Sequence, residues 1–250
     1  MHSLPTLLRR TPSRWWQTDM TTRILAIETA TAACSAALAV DDEVLERYAL
    51  APRQHATLIL PMIESLLVEA GLTVAQLDAI AFGRGPGSFT GVRIAASIVQ
   101  GIAFAAGRPV VPVSTLAALA LGGQRESGGT AILAALDARR DEVYWGAYMS
   151  DAAGLLQLQG EEVVRAPEKV EVPAAGDWIA AGSGWEAYGT RLMPRLDARV
   201  VRVLPDLEPR AADVARLALS AFTQGQMVSP EQAIPVYLRN DVADVKRSSL

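Results

Sequence analysis

Two short apolar runs, each ending on a carboxylate, open two stretches of the chain that share one order of elements. Ile24-Leu25-Ala26-Ile27 ends at Glu28, and Ile132-Leu133-Ala134-Ala135-Leu136 ends at Asp137. After the first, Cys34–Val40 and Val44–Leu50 flank a polar turn at Asp41-Asp42, so three short strands should form an antiparallel meander. The period then changes. Leu58, Ile59, Met62, Ile63, Leu66 and Leu67 recur at helical spacing over His55–Ala70, and Gly71 stops that helix. Pro61 lies inside it and should kink it, because it removes a hydrogen bond and crowds the preceding turn. Leu77–Phe82 reads as a buried strand, Ser88 or Thr90 as the cap of a second helix ending at Gly107, and Val110–Val113 as a fifth strand.

A linking helix over Thr115–Leu121 leads to a boundary loop, Gly122–Gly129, after which the order returns. Strands are expected at Ile132–Leu136, Glu142–Met149 and Leu155–Val164, a short helix at Pro167–Val172 and a strand at Trp178–Ala181. A helix over Trp185–Leu192, a strand over Val200–Val203 and a helix over Ala211–Phe222 complete the set. Trp178–Ala181 leads into Gly182-Ser183-Gly184 as Ala79–Phe82 leads into Gly83-Arg84-Gly85. Two similar stretches offset by about a hundred residues indicate a duplicated α/β unit, each half a mixed sheet flanked by helices. The organisation expected is an extension at 1–19, a first half at 20–114, a second at 115–234, and a terminal segment at 235–250 that docks back on the body.

Composition limits what such a fold can do. Half of the 250 residues are hydrophobic, enough for a substantial core, and the net charge is −4. An acidic chain without a basic run is a poor match for gripping nucleic acid by itself, which needs clustered positive charge. Cys34 is the only cysteine and the histidines are His2 and His55, so ligands for a zinc site are too few and a reducing, cytoplasmic compartment is expected. The longest uncharged apolar stretch fit for one helix, Ile94–Gly107, is shorter than the ~20 residues that span a bilayer, so no membrane partner is expected. Residues 1–19 combine Arg9, Arg10 and Arg14 with Trp15-Trp16. They resemble a transit peptide, or precede a functional start at Met20.

Gly83-Arg84-Gly85-Pro86-Gly87-Ser88-Phe89-Thr90-Gly91 is the most unusual stretch. It is neither a P-loop nor a dinucleotide fingerprint, and it lacks G-x-S-x-G. It is either a structural turn or a loop whose backbone approaches a ligand. The helix after it carries Gly91, Ala95, Ala96, Gly101, Ala103, Ala105 and Ala106. A glycine costs ~1 kcal/mol there relative to alanine, so close approach by a core element or by another subunit is implied. Gly91, Ala95, Ile98 and Ile102 would pack on the sheet, leaving Ala96, Val99 and Ala103 for something else. Glu28, Thr29 and Thr31 at one strand end, with Asp137, Arg139 and Arg140 at the matching one, are either polar hairpin tips or a cleft that holds nucleotide phosphates. His55 reads as a cap or interface residue rather than a base.

Ile24–Thr31, Gly83–Arg93, Val113-Ser114-Thr115-Leu116, Asp137-Ala138-Arg139 with Glu142-Val143-Tyr144-Trp145, and Pro235-Val236-Tyr237-Leu238-Arg239-Asn240 together resemble the bacterial TsaB family, from about Met20 to Asn240. The resemblance implies two ribonuclease-H-like halves of the actin, Hsp70 and sugar-kinase type. It implies a subunit without catalytic or metal-binding residues that pairs with and activates the related TsaD, joined by the ATPase TsaE. Together these transfer threonylcarbamoyl to the adenosine beside the anticodon of tRNAs reading codons that begin with A. The catalytic relative carries His-x-x-x-His where this chain reads Ser114-Thr115-Leu116-Ala117-Ala118. The family pairs through its first two helices, as a homodimer or with TsaD, which implies contacts at His55, Leu58, Met62, Gly91, Arg93, Ala96, Val99 and Ala103. It implies no cofactor of its own, ATP or ADP only at the level of the complex, and tRNA only through that complex. Members usually carry Asp where this chain has Glu28; the extra methylene would push the carboxylate deeper into a cleft and weakens a nucleotide site at Glu28, Thr29, Thr31, Asp137 and Arg139. The alternative is a stand-alone ATPase, small-molecule kinase or peptidase of the same fold.

Overall fold

The computed structural model describes residues 21–41, 43–173, 176–196 and 199–239. The extension at 1–19 and the terminal segment from Asn240 onward lie outside the described residues. The first sheet has the order β3-β2-β1-β4-β5, built from β1 (Arg23–Glu28), β2 (Ala33–Val40), β3 (Glu43–Leu50), β4 (Ala79–Gly83) and β5 (Val110–Val113). β1 pairs antiparallel with β2 and β2 with β3, whereas β4 lies parallel to both β1 and β5. The second sheet repeats this order strand for strand as β8-β7-β6-β9-β10, from β6 (Ala131–Asp137), β7 (Val143–Ser150), β8 (Leu156–Arg165), β9 (Trp178–Ala181) and β10 (Val200–Leu204). The chain is therefore a duplicated pair of ribonuclease-H-like halves of the actin, Hsp70 and sugar-kinase type.

Side chains alternate across each sheet and divide the core into layers. Leu25 and Ile27 of β1 face α1 (His55–Ala70) and α2 (Phe89–Ala106), together with Ile59, Ile63, Leu66, Ala95 and Val99. Ile24 and Ala26 face the other way, onto α5 (Ala211–Thr223). That face is alanine-rich: Ala26, Ala37, Ala39, Ala79 and Ala81 meet Ala211, Ala215 and Ala218, so helix and sheet approach closely. Leu116 and Leu119 of α3 (Thr115–Ser127) cover one face of the second sheet, and Trp185 and Leu192 of α4 (Ser183–Leu196) cover the other. α3 follows the first sheet in sequence yet covers the second, while α5, late in the second stretch, covers the first. Between them the fully buried carboxylate of Asp213 accepts two hydrogen bonds from Arg125, at 2.7 and 3.2 Å. The sheet also serves the start of α5: Ser35 Oγ accepts from the Ala211 amide at 2.9 Å and Glu46 Oε1 from that of Ala212 at 3.0 Å, two donors with no partner inside the helix.

Several sequence expectations change. The boundary loop Gly122–Gly129 does not form; α3 runs on to Ser127. Its glycines are there for space, since a Cβ on Gly123 would lie 3.1 Å from Ile132 and one on Gly122 3.3 Å from Asp213. The helix expected at Pro167–Val172 shrinks to a 3-10 turn, Pro167–Lys169, so the second half has no counterpart of α1. As expected, α1 runs from His55 to Ala70 with Pro61 inside it. The proline is exposed, so the carbonyl it leaves unpaired one turn earlier can be met by water. By length and composition α2 could cross a bilayer. Here one side of it, including Ala95, Val99 and Ala103, lies in the core.

Candidate functional site

The ends of β1 and β6 and the starts of α1, α2 and α4 enclose a cleft of about 1590 Å³ between the two halves. The chain after α5 closes one side. Val228 bridges to Val110, the Val236 amide donates to the Arg84 carbonyl at 2.8 Å, and Arg239 reaches Glu142 and the Ala138 carbonyl on the second half.

Thr31, Asp137 and Arg139 line this cleft, but Glu28 and Thr29 do not. The Glu28 side chain turns inward, fully buried, against the backbone of Gly83: a Cβ on that glycine would stand 1.8 Å from Oε2. Its oxygens accept from the Ala30 amide at 2.7 Å and the Thr115 hydroxyl at 3.0 Å. Burial nevertheless outweighs these hydrogen bonds and pushes its pKa from 4.5 to about 7. Thr29 is buried too, donating to the Gly91 carbonyl at 2.8 Å. The five residues read as a phosphate site are thus split, and Glu28 does not move deeper into the cleft as expected but leaves it. The close approach that the glycine loop permits is used by the chain's own groups: Glu28 at Gly83, and the Thr29 carbonyl 2.0 Å from where a Gly91 Cβ would be.

Asp137 holds the remaining geometry. Its Oδ1 accepts from the Arg139 amide at 2.7 Å and the Tyr188 hydroxyl at 3.0 Å, and its Oδ2 pairs with the Arg139 guanidinium at 2.8 Å. Arg139, Arg140 and Asp141 all adopt left-handed backbone angles, φ 59°, 55° and 60°, and Arg53 across the cleft has φ 67°. Each such non-glycine residue costs on the order of 1 kcal/mol. Glu208, which no sequence pattern singled out, also lines the cleft; burial raises its pKa and its Oε2 is buried without a hydrogen-bond partner.

Ser114 and Ala118, where the resemblance places histidines in the catalytic relative, are engaged in structural contacts, Ala118 being buried against α5. The Ser114 hydroxyl caps α3 by accepting from the Leu116 and Ala117 amides and donates to Glu162, which also accepts from Tyr148 of β7. Thr115 joins Glu28 to the Gly85 amide. Among the described residues no three His, Cys, Asp or Glu side chains are placed to share a metal ion.

The residues expected at a subunit contact separate into three groups. His55, Gly91 and Arg93 line the cleft. His55 Nε2 lies 3.1 Å from the Ala33 carbonyl, which can only accept, so that nitrogen carries a proton and the imidazole acts as a tether. Leu58 and Met62 are partly buried on α1. Gly91 and Ala95 are buried as expected, but Ala96, Val99 and Ala103, expected to be left for a partner, join them in the core because this side of the helix meets the sheet. Ile94, Ile98 and Ile102 form a partly buried stripe at the edge of that core, with Gly101 facing open space.

A family model described as TsaD, tRNA N6-adenosine threonylcarbamoyltransferase, matches residues 44–245. The Escherichia coli (strain K12) protein called tRNA threonylcarbamoyladenosine biosynthesis protein TsaB is 44% identical over 227 residues, covering 88% of this chain and 96% of its own length. The protein of that name from Haemophilus influenzae is 37% identical over 88% of this chain and 94% of its own. The solved structure of YeaZ from Pseudomonas aeruginosa superposes with a TM-score of 0.82 at 49% identity, covering 87% of this chain and all of that one. Similarity of this extent, on the two-sheet frame and glycine loop described above, places the chain in the TsaB family of tRNA threonylcarbamoyladenosine biosynthesis proteins.

Proposed function

We propose that this protein is the non-catalytic partner of a TsaD-type threonylcarbamoyltransferase, required with the ATPase TsaE to modify the adenosine beside the anticodon in tRNAs reading codons that begin with A. The observation that carries this reading is the near full-length identity to proteins named for that biosynthesis. The state of the first strand end supports the non-catalytic part. A carboxylate that worked on a phosphate or a metal would have to face the cleft, and Glu28 is buried beneath Gly83 instead.

The partner meets the outer helical layer. Leu58 and Met62 of α1 and Ile94, Ile98 and Ile102 of α2 form an incompletely covered apolar surface, and Gly101 lets a second backbone come close. The same face would serve a homodimer when TsaD is absent. The protein works in the cytoplasm, where its tRNA substrate and its unpaired cysteine both belong.

The test is reconstitution with TsaD, TsaE, ATP, bicarbonate, threonine, the enzyme that forms the threonylcarbamoyl adenylate, and unmodified tRNA, omitting one component at a time. Threonylcarbamoyladenosine in tRNA hydrolysates should require this chain. Full modification without it, or turnover by the chain alone that Glu28→Ala or Asp137→Ala abolishes, would overturn the reading.

A further inference from the structure

The cleft gathers a charge that the chain as a whole does not have. Against a net charge of −4, Arg53, Arg93, Arg139, Arg140 and Arg239 all line it, five guanidinium groups to the three carboxyl groups of Asp137, Glu186 and Glu208. Two of the five are neutralised locally, Arg139 by Asp137 and Arg239 by Glu142. Arg53 and Arg140 are exposed, with no side-chain hydrogen bond or ion pair among the described residues. Both are held there on left-handed backbone. Arg93 has no acidic partner: its guanidinium lies 3.6 Å from the centre of the Phe89 ring and its Nε donates to the Tyr237 hydroxyl at 2.9 Å. The two rings are 5.7 Å apart, and both residues are partly exposed, 50% and 43%.

Size decides what class of ligand this suits. Small-molecule pockets usually run to about 300–1,000 Å³. At about 1590 Å³ the cleft is larger, the size of a polymer segment. Unpaired guanidinium groups beside exposed aromatic faces match single-stranded RNA, whose phosphates take the charge and whose unstacked bases take the rings. An acidic peptide would use the arginines and leave the ring platform idle.

We infer that this cleft receives an unpaired stretch of the tRNA, with Arg53 and Arg140 on phosphates and the Phe89–Arg93–Tyr237 platform under a base. The inference rests on the tRNA-modifying role proposed above and adds to it a direct RNA contact by this subunit.

The test titrates fluorescently labelled, unmodified tRNA into the full chain alone and into its complex with TsaD, at several salt concentrations. The R53A/R140A variant should weaken binding about tenfold at physiological salt and lower the slope of log K against log salt by about 1.4, since each phosphate contact to a single strand contributes about 0.7. Phe89→Ala should weaken binding at least about fivefold with the slope unchanged, and Phe89→Trp should restore it. Co-purification with TsaD is scored in the same preparations. Its loss in wild type would count against the proposed function, whereas the salt slope of the chain alone still reports on the cleft. Affinity and slope unchanged in R53A/R140A would overturn the inference. So would release of TsaE by that variant with tRNA binding intact, which would give the cleft to an acidic protein segment.

Discussion

Replacing Glu28 by glutamine tests the buried carboxylate quantitatively. In the folded chain burial raises its pKa from an ordinary 4.5 to about 7. Between those values the unfolded chain has released the proton and the folded chain still holds it. The favourable contribution of Glu28 is therefore complete below pH 4.5, declines as pH rises, and is lost above 7. At about 1.4 kcal/mol per pKa unit, the swing attributable to this one group is about 3 kcal/mol. Glutamine keeps the size and an oxygen for the Ala30 amide but cannot ionise. Glu28→Gln should match wild type near pH 4, exceed it by a little under ~1 kcal/mol at pH 5 and by about 3 kcal/mol at pH 8, the last a difference in urea midpoint on the order of 1 M. Asp213, another buried carboxylate with a raised pKa, is common to both proteins and cancels in the comparison, whereas the charge on Glu208 contributes to the raised pKa of Glu28 and belongs to the effect being measured. Urea unfolding followed by circular dichroism at pH 5, 6, 7 and 8 measures it. Parallel pH profiles for the two proteins would refute the reasoning and return Glu28 to a solvated site.

Gly83→Ala forces a Cβ into the Glu28 carboxylate and should destabilise by about 3 kcal/mol. In an E28A/G83A double mutant, measured by the same unfolding, the two losses should fall short of additive by at least about 1 kcal/mol. Gly101→Leu meets nothing within 4 Å in the chain itself, so it should leave the melting temperature unchanged or higher while abolishing co-purification with TsaD. Gly91→Leu and Ala96→Leu are no test of that contact, because both side chains would collide with the chain's own interior and lower the melting temperature. Arg125→Met leaves the buried Asp213 carboxylate with only Arg216, 3.3 Å away, and should cost about 2 kcal/mol, less than a fully buried pair because Arg125 is 42% exposed. Thermal denaturation at low and high salt would measure it.

The order of strands and helices was legible because each half announces itself through period: two-residue alternation, then helical spacing, then a glycine or proline stop. What failed, failed where packing overrides local preference. Gly122 and Gly123 read as a break because glycine favours turns, yet here they thin a helix squeezed between Ile132 and Asp213. α2 is apolar on nearly every side, so its spacing could not say which side meets the sheet; Ala96 and Val99 turned inward and Ile98 came to the edge of the core. Glu28 marked a strand end correctly, but the direction of its side chain depended on the space beside Gly83, far away in sequence. Of the arginine cluster, the Arg139-Arg140 turn was legible as a candidate phosphate site, but its union with the others was not. Arg53, Arg93, Arg140 and Arg239 come from four separate segments of an acidic chain and meet only once both halves are folded.

The exchange of α3 and α5 between the sheets has a bearing on how this duplicated gene product can be cut. A fragment ending after Ser114 would hold the first sheet with its alanine face bare, and the complementary fragment would carry α5 with nothing to lie on. The repeat is visible as a copy, but neither copy owns its full set of covers. Evolutionary kinship between the halves has become mutual dependence, so the smallest autonomous folding unit is the pair.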